Sequence, residues 1–223
     1  MAARIVDRPA KTGAILRAAT QVFAEQGYQA ATMDAIAERA GIGKGTLYEY
    51  FRDKQDLFFA VFDDYIASME RLARQSMELP SDTAAAQIQQ AIHTVLAMSA
   101  EARDLFPLVF EFWSASASPD RRARVATLFR DTYAEFRRLI AGQIHKGQQK
   151  GEFDPAADAS RIAAVLVGAL DGLFLQAWFD PALDPVSMGD DFVAVLLRGL
   201  AAPAKLSKKA PSRKHARRGA SKK

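Results

Sequence analysis

The sequence predicts an all-α protein, with an N-terminal three-helix helix-turn-helix domain and a larger helical domain after it. Apolar residues recur at three- and four-residue steps almost throughout the chain. No stretch alternates apolar and polar residues with the period of a strand. Hydrophobic residues make up 49% of the 223 and charged residues 25%, a composition typical of a soluble chain that buries a core.

Each of the first four helices has a start or stop signal. The first has an apolar stripe and ends at Gly27, since glycine readily ends a helix. Thr32 can cap a second, short helix that stops at Gly41. A third helix is expected over about residues 45–51, and Asp53 then caps a long fourth helix.

Prolines and glycines divide the rest of the chain. Pro80 closes the long helix, and Pro119 begins another amphipathic helix whose end Gly147 and Gly151 loosen. Residues 156–179 form a last long apolar helix, which a turn connects to a final short one. We therefore expect a helical body to follow the head.

Helical periodicity and composition divide the chain into four segments that differ in net charge. These are a flexible N-terminus (1–10), a helix-turn-helix domain (11–58), a helical body (59–203) and a basic disordered tail (204–223). The tail holds nine Lys or Arg and no acid, which leaves 21 basic against 26 acidic residues elsewhere. We consider three roles for the tail: a nonspecific DNA arm, a site for RNA or another polyanion, or a solubilising segment without a selected role.

The available residues exclude several classes of enzyme. The chain has no cysteine, which removes disulfides, thiolate metal sites and a thiol nucleophile. His93, His145 and His215 are too far apart for a short metal motif, and no G-x-S-x-G elbow is present. Lys44 is followed by Gly45 rather than Ser or Thr, so the glycine-rich turn is not a phosphate-binding loop. We expect no enzyme activity, no metal and no cofactor.

The chain also lacks signs of export or membrane insertion. Its first residues show no apolar h-region and no small-residue cleavage site, so we expect a cytoplasmic protein. Residues 162–179 barely reach the length of a membrane span, and Asp171 near their middle makes insertion costly. We expect no membrane partner.

Residues 32–54 are the most informative block. Two short helices joined by a tight glycine turn form the geometry that places the second helix in the major groove of DNA. Leu47 and Phe51 anchor that helix to the core. The residues left toward the flanks and the outside are Lys44, Thr46, Tyr48, Glu49 and Tyr50. These residues also have an explanation without DNA contact, because such tyrosines often pack in a core and a lysine in a turn is often only solvated.

Residues 11–58 resemble the DNA-binding domain of TetR-family transcriptional regulators. The residues that carry the resemblance are Ile15, Ala18, Phe23, Gly27, Thr32, Ile36, Ala37, Ala40, Gly41, Lys44, Gly45, Leu47, Tyr48, Phe51, Lys54 and Leu57. The resemblance implies a three-helix head, a helical body that binds a ligand and dimerises, and repression relieved by a small molecule. Residues 105–118 together with 162–180 are similar to regulators with a BetI-like C-terminal domain.

The resemblance also implies roles for individual residues of the head. By position, the residues that match phosphate contacts of the family are Thr32, Lys44, Tyr48, Tyr50 and Lys54. Gly45 and Thr46 lie closest to the bases. Glu49 projects furthest from the core, where it either accepts a hydrogen bond from a cytosine amine or only avoids the phosphates.

The body predicts a homodimer. The helix over 162–179 is apolar on all sides, so one side is expected to pack on its own core and the other on a second subunit. Gly168 and Gly172 allow close approach of helices. We expect pairing through helices at about 156–179 and 186–201, with a fully intramolecular core as the alternative. Such a dimer would read a pseudo-palindromic DNA site.

A ligand pocket is expected where aromatic residues cluster, although an aromatic stripe often only forms core. The candidate ligand-binding residues are His93, Phe106, Phe110, Trp113, Tyr133, Phe136, Asp171, Phe174, Gln176 and Trp178. Asp171 stands out because a buried carboxylate needs a partner, which an arginine across the dimer is one way to supply.

These observations predict a ligand-responsive, sequence-specific transcriptional regulator. The expected partners are a double-stranded DNA operator, a second copy of the chain and a small, largely apolar effector. The expected mechanism is repression, with release of DNA when the effector binds. The alternatives are a nonspecific architectural DNA-binding protein that uses the basic tail, and an activator with the same fold.

Overall fold

The computed structural model describes residues 7–101, 108 and 119–202, and these are largely helical. Their eight helices are α1 (Arg8–Ala30), α2 (Met33–Arg39), α3 (Lys44–Tyr50), α4 (Lys54–Glu78), α5 (Ala84–Glu101), α6 (Pro119–Gln149), α7 (Ala159–Phe179) and α8 (Pro185–Gly199). The described residues contain no strand, and an isolated bridge joins Phe153 to Ala201. The predicted all-α fold is confirmed.

Helix α1 begins earlier than expected and extends past the predicted end at Gly27 to Ala30. Its start at Arg8 lies within the segment assigned to a flexible N-terminus. The Asp7 carboxylate caps it by accepting from the Ala10 backbone N–H at 3.2 Å, and Pro9 supplies a helical φ in the first turn. At Gly27 the backbone turns to φ 73°, which interrupts the helix.

Side-chain caps fix the starts of the next helices. The Thr32 hydroxyl accepts from the Ala35 N–H at 3.1 Å and starts α2. The Asp53 carboxylate accepts from the Asp56 N–H at 2.8 Å and starts α4. Both caps are those that the sequence predicts. Helix α7 begins later than expected because Asp158 caps it.

The head has its own core, made by α1, α2, α3 and the first turns of α4. Its fully buried members include Ile15, Phe23, Ile36, Leu47 and Leu57. Aromatic rings stack edge to face within it, with the centroids of Phe23 and Phe58 5.0 Å apart. The same core continues along α4 beyond the expected boundary at residue 58 to Phe62.

A second core holds the body together. Helices α5, α6, α7 and α8 and the end of α4 enclose it, with Ile88, Leu96, Ile144, Leu166 and Val193 essentially inaccessible to solvent. An ion pair from Arg74 of α4 to Glu135 of α6 crosses its surface. The four body helices thus form one packed unit that α4 connects to the head.

Helix α6 also reaches the head. Val125 is buried in the head core, and Leu128 and Phe129 pack against it. The guanidinium of Arg124 lies 3.7 Å from the centre of the Phe59 ring on α4. The body therefore contacts the head through a second helix as well as through α4.

Gly147 does not loosen the end of α6, as the sequence suggested, but lies inside the helix as a packing notch. The fully buried Phe153 ring occupies the space where a side chain at Gly147 would project. The C-terminal glycine of this helix is Gly151, with φ 75°.

Replacement of Gly147 by alanine is expected to lower the free energy of unfolding by about 2 kcal/mol, because the added Cβ displaces the Phe153 ring. Urea unfolding monitored by circular dichroism measures this change. Gly142→Ala is the matched control, since its Cβ meets no atom within 4 Å among the described residues. Equal stabilities of the two variants would contradict the notch.

Helix α7 is long and apolar enough to cross a membrane by length and composition alone. Core helices of soluble proteins pass the same test. Its inner face is buried, with Ala163 and Leu166 in the body core, while much of its outer face is exposed. The expectation of no membrane partner stays a prediction.

Candidate nucleic-acid interface and ligand cavity

The first candidate site is the helix-turn-helix of α2 and α3. The turn between them is tight: the Ile42 N–H donates to the Ala37 carbonyl at 3.0 Å, and Gly41 has φ 66°. Only a residue that tolerates a left-handed backbone fits there without strain. Leu47 is fully buried and fixes α3 against the head core, so the opposite side of α3 faces outward.

The outward side of α3 carries the residues predicted to contact DNA. Tyr48 is 46% exposed, and Lys44, Gly45 and Glu49 are also exposed. Nothing lies within 4 Å of a Cβ built on Gly45, which leaves the backbone open to a groove. Their contacts with DNA stay predictions.

Two predicted phosphate contacts have partners inside the protein. The Lys44 ammonium lies 2.7 Å from the Asp34 carboxylate at the start of α2, and this ion pair holds the pKa of Lys44 above its usual value. The Tyr50 ring is half-buried, with the Arg8 guanidinium 5.4 Å from its centre. Arg8 thus lies beside α3, a position that sequence reasoning missed.

Lys54 has a structural role that its predicted function as a phosphate contact did not include. Its ammonium donates hydrogen bonds to the carbonyls of Tyr28 at 2.7 Å, Gln29 at 3.0 Å and Ala31 at 2.8 Å. It also lies 4.7 Å from the centre of the Tyr28 ring. These carbonyls are left without helical partners where α1 ends, so the lysine caps α1 from the start of α4.

Thr32 and Thr46 complete the predicted set. The exposed Thr32 hydroxyl is already used as the α2 cap, where it accepts from the Ala35 N–H. Thr46 is half-buried beside Leu47. An ion pair that the sequence did not predict also holds α2 against α1. The Arg39 guanidinium of α2 donates two hydrogen bonds to the Glu25 carboxylate of α1, at 2.7 and 2.9 Å.

The second candidate site is a cavity in the body of about 190 Å³. Helices α4, α5, α6 and α7 surround it, and most of its walls are apolar. Four of the predicted ligand residues line it: Tyr133, Phe136, Asp171 and Phe174. Helix α4 supplies wall residues that sequence reasoning missed, among them Phe62, Tyr65 and Met69, because their spacing is that of any buried helix face.

The polar part of the cavity lies around Asp171. Its carboxylate interacts electrostatically with the Tyr133 hydroxyl, which connects α7 with α6. Desolvation raises the pKa of Asp171, although the residue as a whole is solvent-exposed. Burial and the adjacent carboxylate also raise the pKa of Tyr133. Asp171 therefore has an interacting group within its own chain, and the arginine considered across a dimer stays a prediction.

The remaining predicted ligand residues lie elsewhere. His93 is exposed and bonds Asp190 of α8 at 2.7 Å, and Gln176 donates to the Gly172 carbonyl of its own helix at 3.2 Å. Trp178 packs on Phe179 with ring centres 4.7 Å apart. None of these three lines the cavity. Phe106, Phe110 and Trp113 lie outside the described residues.

An apolar surface covers the outer side of α7 and α8, and we call it the apolar face. Its large exposed members are Val165, Leu175 and Phe179 on α7 and Met188, Phe192 and Val195 on α8. Gly168 and Gly172 lie along the same stripe of α7, and a Cβ at either would meet nothing within 4 Å. A group of exposed apolar side chains of this kind is typical of a protein interface.

The part of the chain that the structure describes shows no group of three or more His, Asp or Glu side chains arranged to hold a metal ion.

Comparison with known proteins identifies two family models along the chain. Residues 15–61 match the model of bacterial regulatory proteins of the tetR family. Residues 84–203, more than half of the chain, match the C-terminal domain of BetI-type transcriptional repressors.

Similar proteins cover nearly the whole chain. An uncharacterized HTH-type transcriptional regulator of Bacillus subtilis, YhgD, is 28% identical over 84% of this chain and 95% of its own. The HTH-type transcriptional repressor BepR of Brucella suis is 25% identical over 86% and 93%. The structure of the regulator FadR from Bacillus subtilis, in complex with stearoyl-CoA, has a TM-score of 0.68 at 21% identity and covers 84% of this chain and 98% of its own.

These matches agree with the geometry of the head, in which a capped α2, a glycine turn and an outward-facing α3 follow one another. They are transcriptional regulators rather than enzymes. The chain belongs to the TetR family of bacterial transcriptional regulators.

Proposed function

We propose that this regulator is a cytoplasmic repressor that binds a pseudo-palindromic operator as a homodimer and leaves it when a small, largely apolar effector binds. The observation that carries the proposal is the outward side of α3, fixed by the buried Leu47 on its opposite side. The proposed DNA contacts are Thr32, Lys44, Gly45, Thr46, Tyr48, Glu49, Tyr50 and Lys54. The names of the BetI-type model and of BepR support repression.

The apolar face supports the homodimer. Phe179 is 72% exposed and Val165 is 69% exposed, which is unfavourable for a chain that stays alone in water. The open stripe at Gly168 and Gly172 gives a second helix room to approach closely. Two copies of the face related by a two-fold axis would present two α3 helices to half-sites about 34–36 Å apart.

The position of the cavity supports control by an effector. Phe62 and Phe129 line the cavity, and both also pack in or against the head core. A ligand that moves these two rings therefore acts directly on the packing that orients α3. A coupling free energy of about 1–3 kcal/mol between the two sites would change operator affinity 5–150-fold.

Selection of bound fragments from randomised DNA tests the proposal, with the full chain and with a variant that ends at residue 203. We expect both proteins to recover the same inverted repeat and to prefer it over random DNA by about 10³-fold or more at physiological salt. Loss of the tail is expected to weaken binding uniformly and to reduce its salt dependence, because nine basic residues are removed.

The same experiment distinguishes the proposed repressor from a nonspecific architectural DNA-binding protein. Binding without a preferred sequence that disappears with the tail would overturn the proposal. A preferred site that is not an inverted repeat would leave the DNA-binding role in place and contradict the symmetric dimer.

A further inference from the structure

The polar groups on the described walls of the cavity are one carboxylate and several hydroxyls. Among the described residues that line it, the only ionisable carboxylate is Asp171, and none has a cationic side chain. The other polar groups are hydroxyls, of Tyr65, Ser99, Thr132 and Tyr133. The Thr132 hydroxyl is already bonded to the Leu128 carbonyl of its own helix at 2.8 Å.

The Tyr133 hydroxyl is the described polar group that interacts with the Asp171 carboxylate, and it offsets the effect of burial only in part. A single neutral hydroxyl does not replace all the hydration that a partly desolvated carboxylate loses, and the raised pKa of Asp171 is consistent with this cost. The cavity thus presents an acceptor with negative charge toward its interior. An anionic ligand group placed there would face repulsion and no compensating cation on the described walls.

Aromatic rings surround the same space. The described walls include Phe62, Tyr65, Phe129, Tyr133, Phe136 and Phe174. The faces of such rings attract cations, whereas they contribute only hydrophobic contact to neutral groups. A carboxylate among aromatic rings is a combination that favours an ammonium group over an alcohol or a carboxylate.

The size of the cavity accommodates a small apolar ligand body. A protein cavity of about 150 Å³ holds a benzene molecule. The volume of about 190 Å³ here fits one aromatic ring with a short alkyl chain.

We propose that the effector is a small hydrophobic monocation, whose ammonium group pairs with the Asp171 carboxylate while its apolar body lies among the aromatic rings of the cavity. This inference rests on the proposed role of the cavity as the effector site and specifies the ligand class for it. The Tyr133 hydroxyl positions the carboxylate for the pairing.

Three probes with one skeleton test the proposal: phenylbutylamine, phenylbutanol and phenylbutyrate. Their affinities for the full-length protein are measured by isothermal titration calorimetry at neutral pH. We expect the amine to bind at least about tenfold more tightly than the alcohol, and the carboxylate most weakly. The Asp171→Asn variant is expected to lose the preference for the amine and to bind the alcohol within about threefold of the wild-type affinity.

The control is Asp131→Asn, which removes an exposed carboxylate from α6 outside the cavity lining. It is expected to keep the preference for the amine. The Asp171→Asn protein is expected to melt no lower than the wild type, because a neutral amide replaces a partly desolvated carboxylate.

The pH dependence of the wild-type protein gives a readout that needs no variant. Among the described residues, the titratable group that interacts with the Asp171 carboxylate is the Tyr133 hydroxyl. As the pH falls through the pKa of Asp171, the carboxyl is protonated and amine affinity should fall, while alcohol affinity stays constant. A flat profile for the amine would overturn the proposal.

The outcomes separate this inference from the proposed function. Equal binding of amine and alcohol, with release of the operator by both, would overturn the cation preference and leave the effector cavity in place. Failure of all three probes to bind would overturn the cation proposal and count against the cavity as the effector site. Operator recognition is measured separately by the DNA selection.

Discussion

Replacement of Gly168 by glutamate is expected to convert the protein to a monomer and to lower its affinity for an inverted-repeat operator by at least about 100-fold. Gly168 lies in the apolar face, where a Cβ meets no atom within 4 Å of its own subunit. A glutamate there is solvated in the monomer, but pairing of two faces would bury its charge without a partner. The two half-sites are then bound independently, and the gain in operator affinity that comes from linking the two subunits is lost.

Light scattering measures the oligomeric state, and fluorescence anisotropy with a labelled operator measures the affinity. The folded monomer should be retained, since glutamate favours a helix over glycine by about 0.5–1 kcal/mol. Gly142→Glu is the matched control, because it adds the same charge on α6 at another open glycine. A Gly168→Glu protein that remains dimeric would show that the apolar face is not the interface.

Replacement of Lys54 by alanine is expected to lower the free energy of unfolding by about 3 kcal/mol. The change removes three charge-assisted hydrogen bonds to the end of α1 and the contact with the Tyr28 ring. The part-buried carbonyls of Tyr28 and Ala31 would then lack their ammonium partner. Urea unfolding measures the loss.

The control for this effect is Lys150→Ala, which removes an exposed lysine just after α6 and is expected to change stability by less than about 0.5 kcal/mol. If Lys54 only contacts DNA phosphates, its replacement would leave the free energy of unfolding unchanged and weaken operator binding. The predicted phosphate contact is tested on the folded variant, where its loss should reduce the salt dependence of operator binding by about one charge.

Most of the fold could be predicted because its signals are local. The caps at Thr32 and Asp53 and the left-handed glycines at positions 27 and 41 act within a few residues of their place in the sequence. The helix-turn-helix follows from the same local signals, which is why the outward side of α3 was predictable. The packing role of Gly147 could not be predicted, because it depends on the Phe153 ring, which folds back onto α6.

The cavity could be predicted only in part because it is formed by four helices. Asp171 is visible in the sequence as a charge in an apolar helix, but its partner Tyr133 lies on another helix. His93 has a similar signal, and yet it pairs with Asp190, 97 residues away, at the surface. The wall residues of α4 have the spacing of ordinary core, so their sequence carries no separate sign of a ligand.

The two rings shared by the cavity and the head set a limit on how the protein can acquire a new inducer. A substitution at Phe62 or Phe129 that reshapes the cavity also disturbs the head, so such a change would alter DNA affinity even without a ligand. The wall around Asp171 and Phe174 belongs to α7 and lies outside the head core. Directed evolution of this protein as a biosensor should therefore diversify that wall and keep the two shared rings.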